Sequence, residues 1–297
     1  MAVAALVVSS LIDSQIVVYT QVAMLTLLTY DYILSLGQEV AYIWVSNWGL
    51  VKVLYFLLRY SPFIDTILAI EEKLNPHVTS ASCRRTMTFN TLFADFGIGT
   101  SHLILIIRTY ALYQQSRKIF TILMIPWTIA FVLNVIAAIK WSSNTLAFSE
   151  SITLVGGSSC FPIGQNKTGL ITDISLLVGE TVLVAFTLRQ CFRESHSYLQ
   201  NGFFRATQSV VVTFYLDGVL FYMCILPITV GNTLVTVYAP AQLQILETPL
   251  RVIHAILCCK LIIHVREIAN PPDDQTRHLS TLFCHTNHSS ASEISEV

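Results

Sequence analysis

The chain has 297 residues, 54% of them hydrophobic and 12% charged, with a mean hydropathy of +0.62 and a formal net charge of −1. Soluble domains carry about 25% charged residues, so half that fraction leaves too little polar side chain to cover a water-soluble globule of this size. The near-neutral balance also excludes the basic stripe that nucleic-acid phosphates require.

A membrane-spanning helix needs about 20 mostly apolar residues, because lipid satisfies none of its backbone groups. Seven stretches qualify: 16–36, 50–70, 87–113, 119–140, 169–190, 207–229 and 241–263. The expected fold class is therefore all-α, a seven-transmembrane-helix bundle occupying residues 16–269. Residues 1–15 precede it; Ala2–Ile12 is apolar but lacks a basic flank, so it reads as an extracellular extension rather than a cleaved signal. The seventh stretch is the least regular, since Glu247, Pro249, Arg251 and His254 interrupt it. After it, Leu261–Glu267 reads as a short amphipathic helix along the membrane surface, and residues 270–297 as a polar, disordered cytoplasmic tail.

Basic residues near helix ends favour the cytoplasmic side. With the N-terminus outside, Lys52, Arg108, Arg117, Lys118, Arg189, Arg193, Arg205, Lys260, Arg266 and Arg277 fall inside, against Lys73, Arg84, Arg85, Lys140 and Lys167 outside. The bias places the C-terminus in the cytoplasm. Trp44, Trp48, Trp127 and Trp141 are expected at the two interfaces as an aromatic belt.

Ionisable side chains within lipid are costly and mark pairing or functional positions. Asp31, Arg59, Asp65, Asp95, His102, Asp173, Glu180, Asp217, Glu247, Arg251 and His254 are the candidates. Glu247 and Arg251 are four apart on one helix face and are expected to pair; Arg59 is expected to pair with Asp31 or Asp95 across helices. A pocket among Asp31, Arg59, Asp95, His102, Asp217, Glu247 and Arg251, or polar glue between helices, are the two readings of the set.

The stretch Tyr30–Val40, followed by Ile43-Trp44, Lys52-Val53-Leu54-Tyr55 and Arg59-Tyr60, resembles the domain of unknown function 6533, a family of seven-helix membrane proteins found in mushroom-type fungi. Arg108–Tyr113, Asp217-Gly218 and Ile262–Glu267 are similar to the wider family. The resemblance implies a seven-helix membrane protein and no established activity.

A weaker similarity is to G-protein-coupled receptors. Cys83 and Arg108 stand 25 residues apart, Cys160 lies in the connection between the fourth and fifth stretches, and Arg108-Thr109-Tyr110 resembles the receptors' acidic-Arg-Tyr triplet with Ile107 in place of the acid. Cys224-Ile225-Leu226-Pro227 is similar to the sixth-helix motif without its Trp, and the seventh-helix Asn-Pro-x-x-Tyr motif is missing. The similarity implies a cytoplasmic switch at Arg108 and Tyr110; a snorkelling or helix-end arginine is the alternative. Cys83 and Cys160 share the oxidising side in this topology and are expected to form a disulfide, with two free thiols as the alternative.

Asn166-Lys167-Thr168 is a glycosylation sequon on the outer side, and Cys258-Cys259 offers either core packing or palmitoylation. No phosphate-binding loop, His-Glu-x-x-His or Gly-x-Ser-x-Gly motif is present. The seventh stretch lacks a mid-depth lysine for a retinal Schiff base. The expectation is a non-enzyme without cofactor or metal, in the plasma membrane or another secretory-pathway membrane. A receptor-like or sensory protein is the leading reading, with a small extracellular ligand and a cytoplasmic signalling protein as partners besides the bilayer. A transporter or channel, and a structural membrane scaffold, are the alternatives.

Overall fold

The structure, a computed structural model, describes residues 2–74, 80–144, 146–147, 162–163, 167–201, 205–238 and 245–269. Seven α-helices account for nearly all of them: α1 (Ala2–Glu39), α2 (Leu50–Leu74), α3 (Ser80–Leu112), α4 (Arg117–Asn144), α5 (Lys167–Asn201), α6 (Arg205–Tyr238) and α7 (Glu247–Ala269). Each contains a stretch long and apolar enough to cross a bilayer, so the chain is a multi-pass integral membrane protein.

The helices run past the apolar stretches that mark them. α1 begins at Ala2 rather than 16 and passes beyond Leu36 into a π-helical turn, Val40–Trp44. α5 continues to Asn201, because hydropathy marks the lipid slab and not the end of helical propensity. In the other direction, α7 starts at Glu247 and not at 241, with Glu247 in its first turn where the helix dipole favours an acid. Leu261–Glu267 is not a separate surface helix: it is the last turns of α7, with Leu261, Ile262 and Ile263 buried in the core.

Sequential helices pack as neighbours, and α1 closes the ring against α7. α3 reaches inward to α5 and α7, while α7 also touches α2. This makes α7 the central element, with 67% of its spanning window buried against 17% for α4. On α4, Ile122, Ile125, Ile129, Val132, Leu133, Ile136 and Ile139 recur every three or four residues and are exposed, forming a lipid-facing stripe. The main core joins Ile43, Tyr55, Leu58, Leu105, Leu183, Phe221, Ile225, Cys258 and Cys259. Both seventh-helix cysteines are fully buried there, which favours packing over palmitoylation.

Two places between helices carry informative contacts. Between α1 and α2, the buried Lys52 ammonium donates to the carbonyls of Trp44 (2.9 Å) and Ser46 (2.7 Å) and lies over the Trp48 ring. Between α4 and α5, β1 (Leu146–Ala147) pairs antiparallel with β2 (Pro162–Ile163) and packs on α3. Trp44 and Trp48 are exposed as an interfacial belt requires, but Trp127 sits within α4 and packs partly buried against the core.

Candidate functional site

Because successive helices alternate in direction, the bundle has one end carrying the starts of α1, α3, α5 and α7, and a second end carrying their C-termini. Buried ionisable groups are distributed unequally between the two.

Near the second end, Arg59 of α2 is only 2% exposed. Its guanidinium donates to Asp31 Oδ2 (2.8 Å), to Glu39 Oε2 (3.3 Å) and to the Ser35 hydroxyl, and it lies over the Tyr32 ring. Glu39 is fully buried and also accepts from Trp44 Nε1 and Tyr60 Oη, both at 3.0 Å. Lys260 of α7 adds a second cation at 2.9 Å from Asp31 Oδ1. Two carboxylates are thus matched by two cations, and the donors of the guanidinium are used. Asp31 and Arg59 come together, whereas Asp95 does not join them. Closer to the first end, Arg251 of α7 donates to Asp65 (2.9 Å) and to the Ser61 hydroxyl on α2. The expected partner Glu247 is displaced by Asp65: α2 presents a buried acid and hydroxyl directly against Arg251, while Glu247 lines a cavity. Gly97 of α3 makes this possible, since a Cβ there would lie 2.0 Å from Arg251 Nη2.

Toward the first end, α3 to α7 surround a cavity of about 140 Å³. Asp95, Asp173 and Glu247 contribute carboxylates to its wall, Trp127 and Phe131 stack face to face along it, and Asn134 and Asn232 add amides. Asp173 accepts from Asn232 Nδ2 at 3.0 Å, and Asn134 accepts from the Ser175 hydroxyl at 2.9 Å. Gly99 lets the Phe131 ring approach α3, where a Cβ would meet it at 2.8 Å. Among the described residues no Lys or Arg lines the cavity; Lys73 of α2 lies within electrostatic reach of Glu247.

His102 also lines this cavity, and beside it is a second set of groups. His254 Nε2 is 2.9 Å from Glu180 Oε1, and His102 Nε2 is 3.8 Å from the same oxygen. The two imidazoles are stacked with centroids 5.9 Å apart. All three residues are buried, and the described residues contain no other group of three or more His, Cys, Asp or Glu arranged to hold a metal ion.

Arg108 is buried, not snorkelling, and its charge reaches Tyr222 of α6 and Cys258 of α7. Tyr110 packs instead on Phe120 of α4, with centroids 5.1 Å apart. Asp217 lies on α6, but its side chain falls outside the described residues, as do those of Cys83, Cys160 and Asn166 and the tail from Asn270. Glu39 went unmarked in the sequence because the first apolar stretch stops three residues before it. The Glu180 pairing to two histidines had no local signal, since its partners are 78 and 74 residues away.

Fold and buried charge together define a seven-helix membrane protein built around a wired helical hairpin. Residues 19–64 match the model of a family of unknown function (DUF6533). That stretch holds Asp31, Glu39, Trp44, Lys52, Arg59 and Tyr60, the same residues that interlock α1 and α2. No curated protein matches the chain.

Proposed function

We propose that the protein is a receptor-like or sensory membrane protein that binds a small organic cation, such as an alkylammonium, in the cavity between α3 and α7. The N-terminus then faces outside and the cavity opens in the outer half of the bilayer, in line with the basic-residue bias. The supporting observation is the cavity wall: three carboxylates, a stacked Trp127–Phe131 pair and, among the described residues, no lining Lys or Arg. Carboxylates together with aromatic faces are the chemistry that holds an ammonium group. The volume suits several waters or a small ligand. The apolar core around Leu105, Leu183, Phe221 and Ile225 favours a receptor over a conduit, because a transported ion would need a polar route past it.

The test is thermal stability of the purified full-length protein in detergent, with tetramethylammonium, choline and small primary amines against neutral isosteres. Cations are expected to raise the melting midpoint, and Asp95→Asn, Asp173→Asn or Glu247→Gln to weaken that effect at least tenfold in ligand concentration. Equal shifts from cations and neutral isosteres, or none from either, refute the reading. Terminal tags probed on intact cells check the orientation; a cytoplasmic N-terminus refutes it.

A further inference from the structure

We propose that His102, Glu180 and His254 form a binding site for one divalent transition-metal ion of the zinc class, with an open coordination position on the cavity side. The three residues come from α3, α5 and α7, and their ligand atoms all lie within 4.8 Å of one another. They are 6%, 1% and 0% exposed. His254 is seven residues into α7, about 10 Å along the axis from its start, so the group is within the bilayer.

Polar atoms at that depth must find partners, since neither lipid nor bulk water supplies them. Here His102 Nε2, Glu180 Oε2 and His254 Nδ1 have no hydrogen-bond partner. The contrast with the Arg59 network is direct: there, each carboxylate meets a guanidinium or ammonium, whereas Glu180 faces only two imidazoles. A metal ion supplies the missing charge and gives the unpaired His102 Nε2 a partner.

The geometry is close to that of a bound ion. Around a tetrahedral zinc, with bonds of about 2.0–2.2 Å, neighbouring donor atoms stand about 3.3 Å apart. The observed separations of 2.9 and 3.8 Å to Glu180 Oε1 bracket that value, and with all ligand atoms within 4.8 Å of one another, rotation of the two rings completes the set. Two imidazole nitrogens and one carboxylate oxygen suit zinc and its neighbours. Calcium and magnesium take oxygen ligands, and the softer Cu(I) prefers sulfur. Cys258 is not part of the set, because its thiol points to the Ser101 carbonyl at 3.9 Å. Three protein ligands leave a fourth position for water or an exogenous ligand, and His102, as a cavity-lining residue, puts that position at the cavity floor. The chain thus carries a metal site that its linear sequence does not announce, since the residues are separated by 78 and 74 positions.

The experiment is metal analysis of the full-length protein purified in detergent without chelator, which contains no organic ligand and so stands apart from the ammonium reading. About one equivalent of zinc-class metal per chain is expected by mass spectrometry. Exchange with Co²⁺ is expected to give the visible absorption of a tetrahedral nitrogen and oxygen site. Glu180→Gln and His254→Asn are expected to lower metal affinity at least tenfold, while His264→Asn, near the end of α7, retains it. Wild-type protein that holds no metal and shows no cobalt spectrum at micromolar cobalt overturns the proposal, whether or not the variants fold. Equal metal retention by His254→Asn and His264→Asn also overturns it.

Discussion

At the second end of the bundle, Arg59 is fixed by Asp31, Glu39 and Ser35, and Lys260 completes the charge match; the acids there have no work left to do beyond holding α1, α2 and α7 together. At the first end, Asp95, Asp173 and Glu247 face a cavity, and Glu180 below them meets only imidazoles. The same residue type, in the same bundle, is buried and closed off in one region and left accessible in the other. A buried carboxylate is a candidate for function according to what remains unsatisfied around it, and burial alone does not identify one.

The largest expected effect is at the closed end. Arg59→Met leaves Asp31 and Glu39 without their guanidinium and is expected to cost about 3–5 kcal/mol, read as a lost or strongly lowered melting midpoint in detergent. Combining it with Asp31→Asn and Glu39→Gln is expected to recover part of that loss; no recovery would mean that packing, not charge, dominates there. Next, Gly97→Ala drives a methyl group into Arg251, which Asp65 and Ser61 hold in place, and is expected to cost about 1–3 kcal/mol. Gly37→Ala, with open space around its Cβ position, is expected to be neutral or to stabilise by up to about 1 kcal/mol. An equal response at the two glycines would contradict the close fit of Arg251.

The smaller effects probe the open end and the rim. Asp173→Asn keeps a carbonyl for Asn232 and is expected to change stability by less than about 1 kcal/mol, while ammonium binding falls. A stability loss as large as that of Arg59→Met would erase the contrast between the two ends. The smallest effect is expected from Lys260→Ala. Its side chain is 59% exposed, so the pair with Asp31 is worth under about 1 kcal/mol and should weaken further in salt.

Helix number was legible in the sequence because a 20-residue apolar run has few other uses. Helix ends were not, since Ala2 and Asn201 lie in helix beyond the apolar stretches. The list of buried ionisable residues was also readable, but their pairing was not. Glu247 and Arg251 are four apart and look like partners, yet Asp65, 186 residues away in sequence, takes the arginine. Periodicity reports which residues share a face; which face meets which is decided by packing. Arg108 shows the same limit from the other side, because a charge near a helix end looks interfacial until the neighbouring helices bury it.

The π turn at Val40–Trp44 carries a consequence for the family segment as a whole. Its wider i→i+5 bonding brings Trp44 round to Glu39, five residues earlier, which an α-helical turn would place on a different face. Such a turn holds one residue more than an α-helical path would. Removing one residue from 40–44 would restore α geometry and turn everything upstream by about 100° relative to everything downstream. Asp31 would then face away from Arg59. Length at this point therefore matters to the pair as residue identity does, and relatives that keep the Asp31–Arg59 pair should show no gap between Glu39 and Trp44.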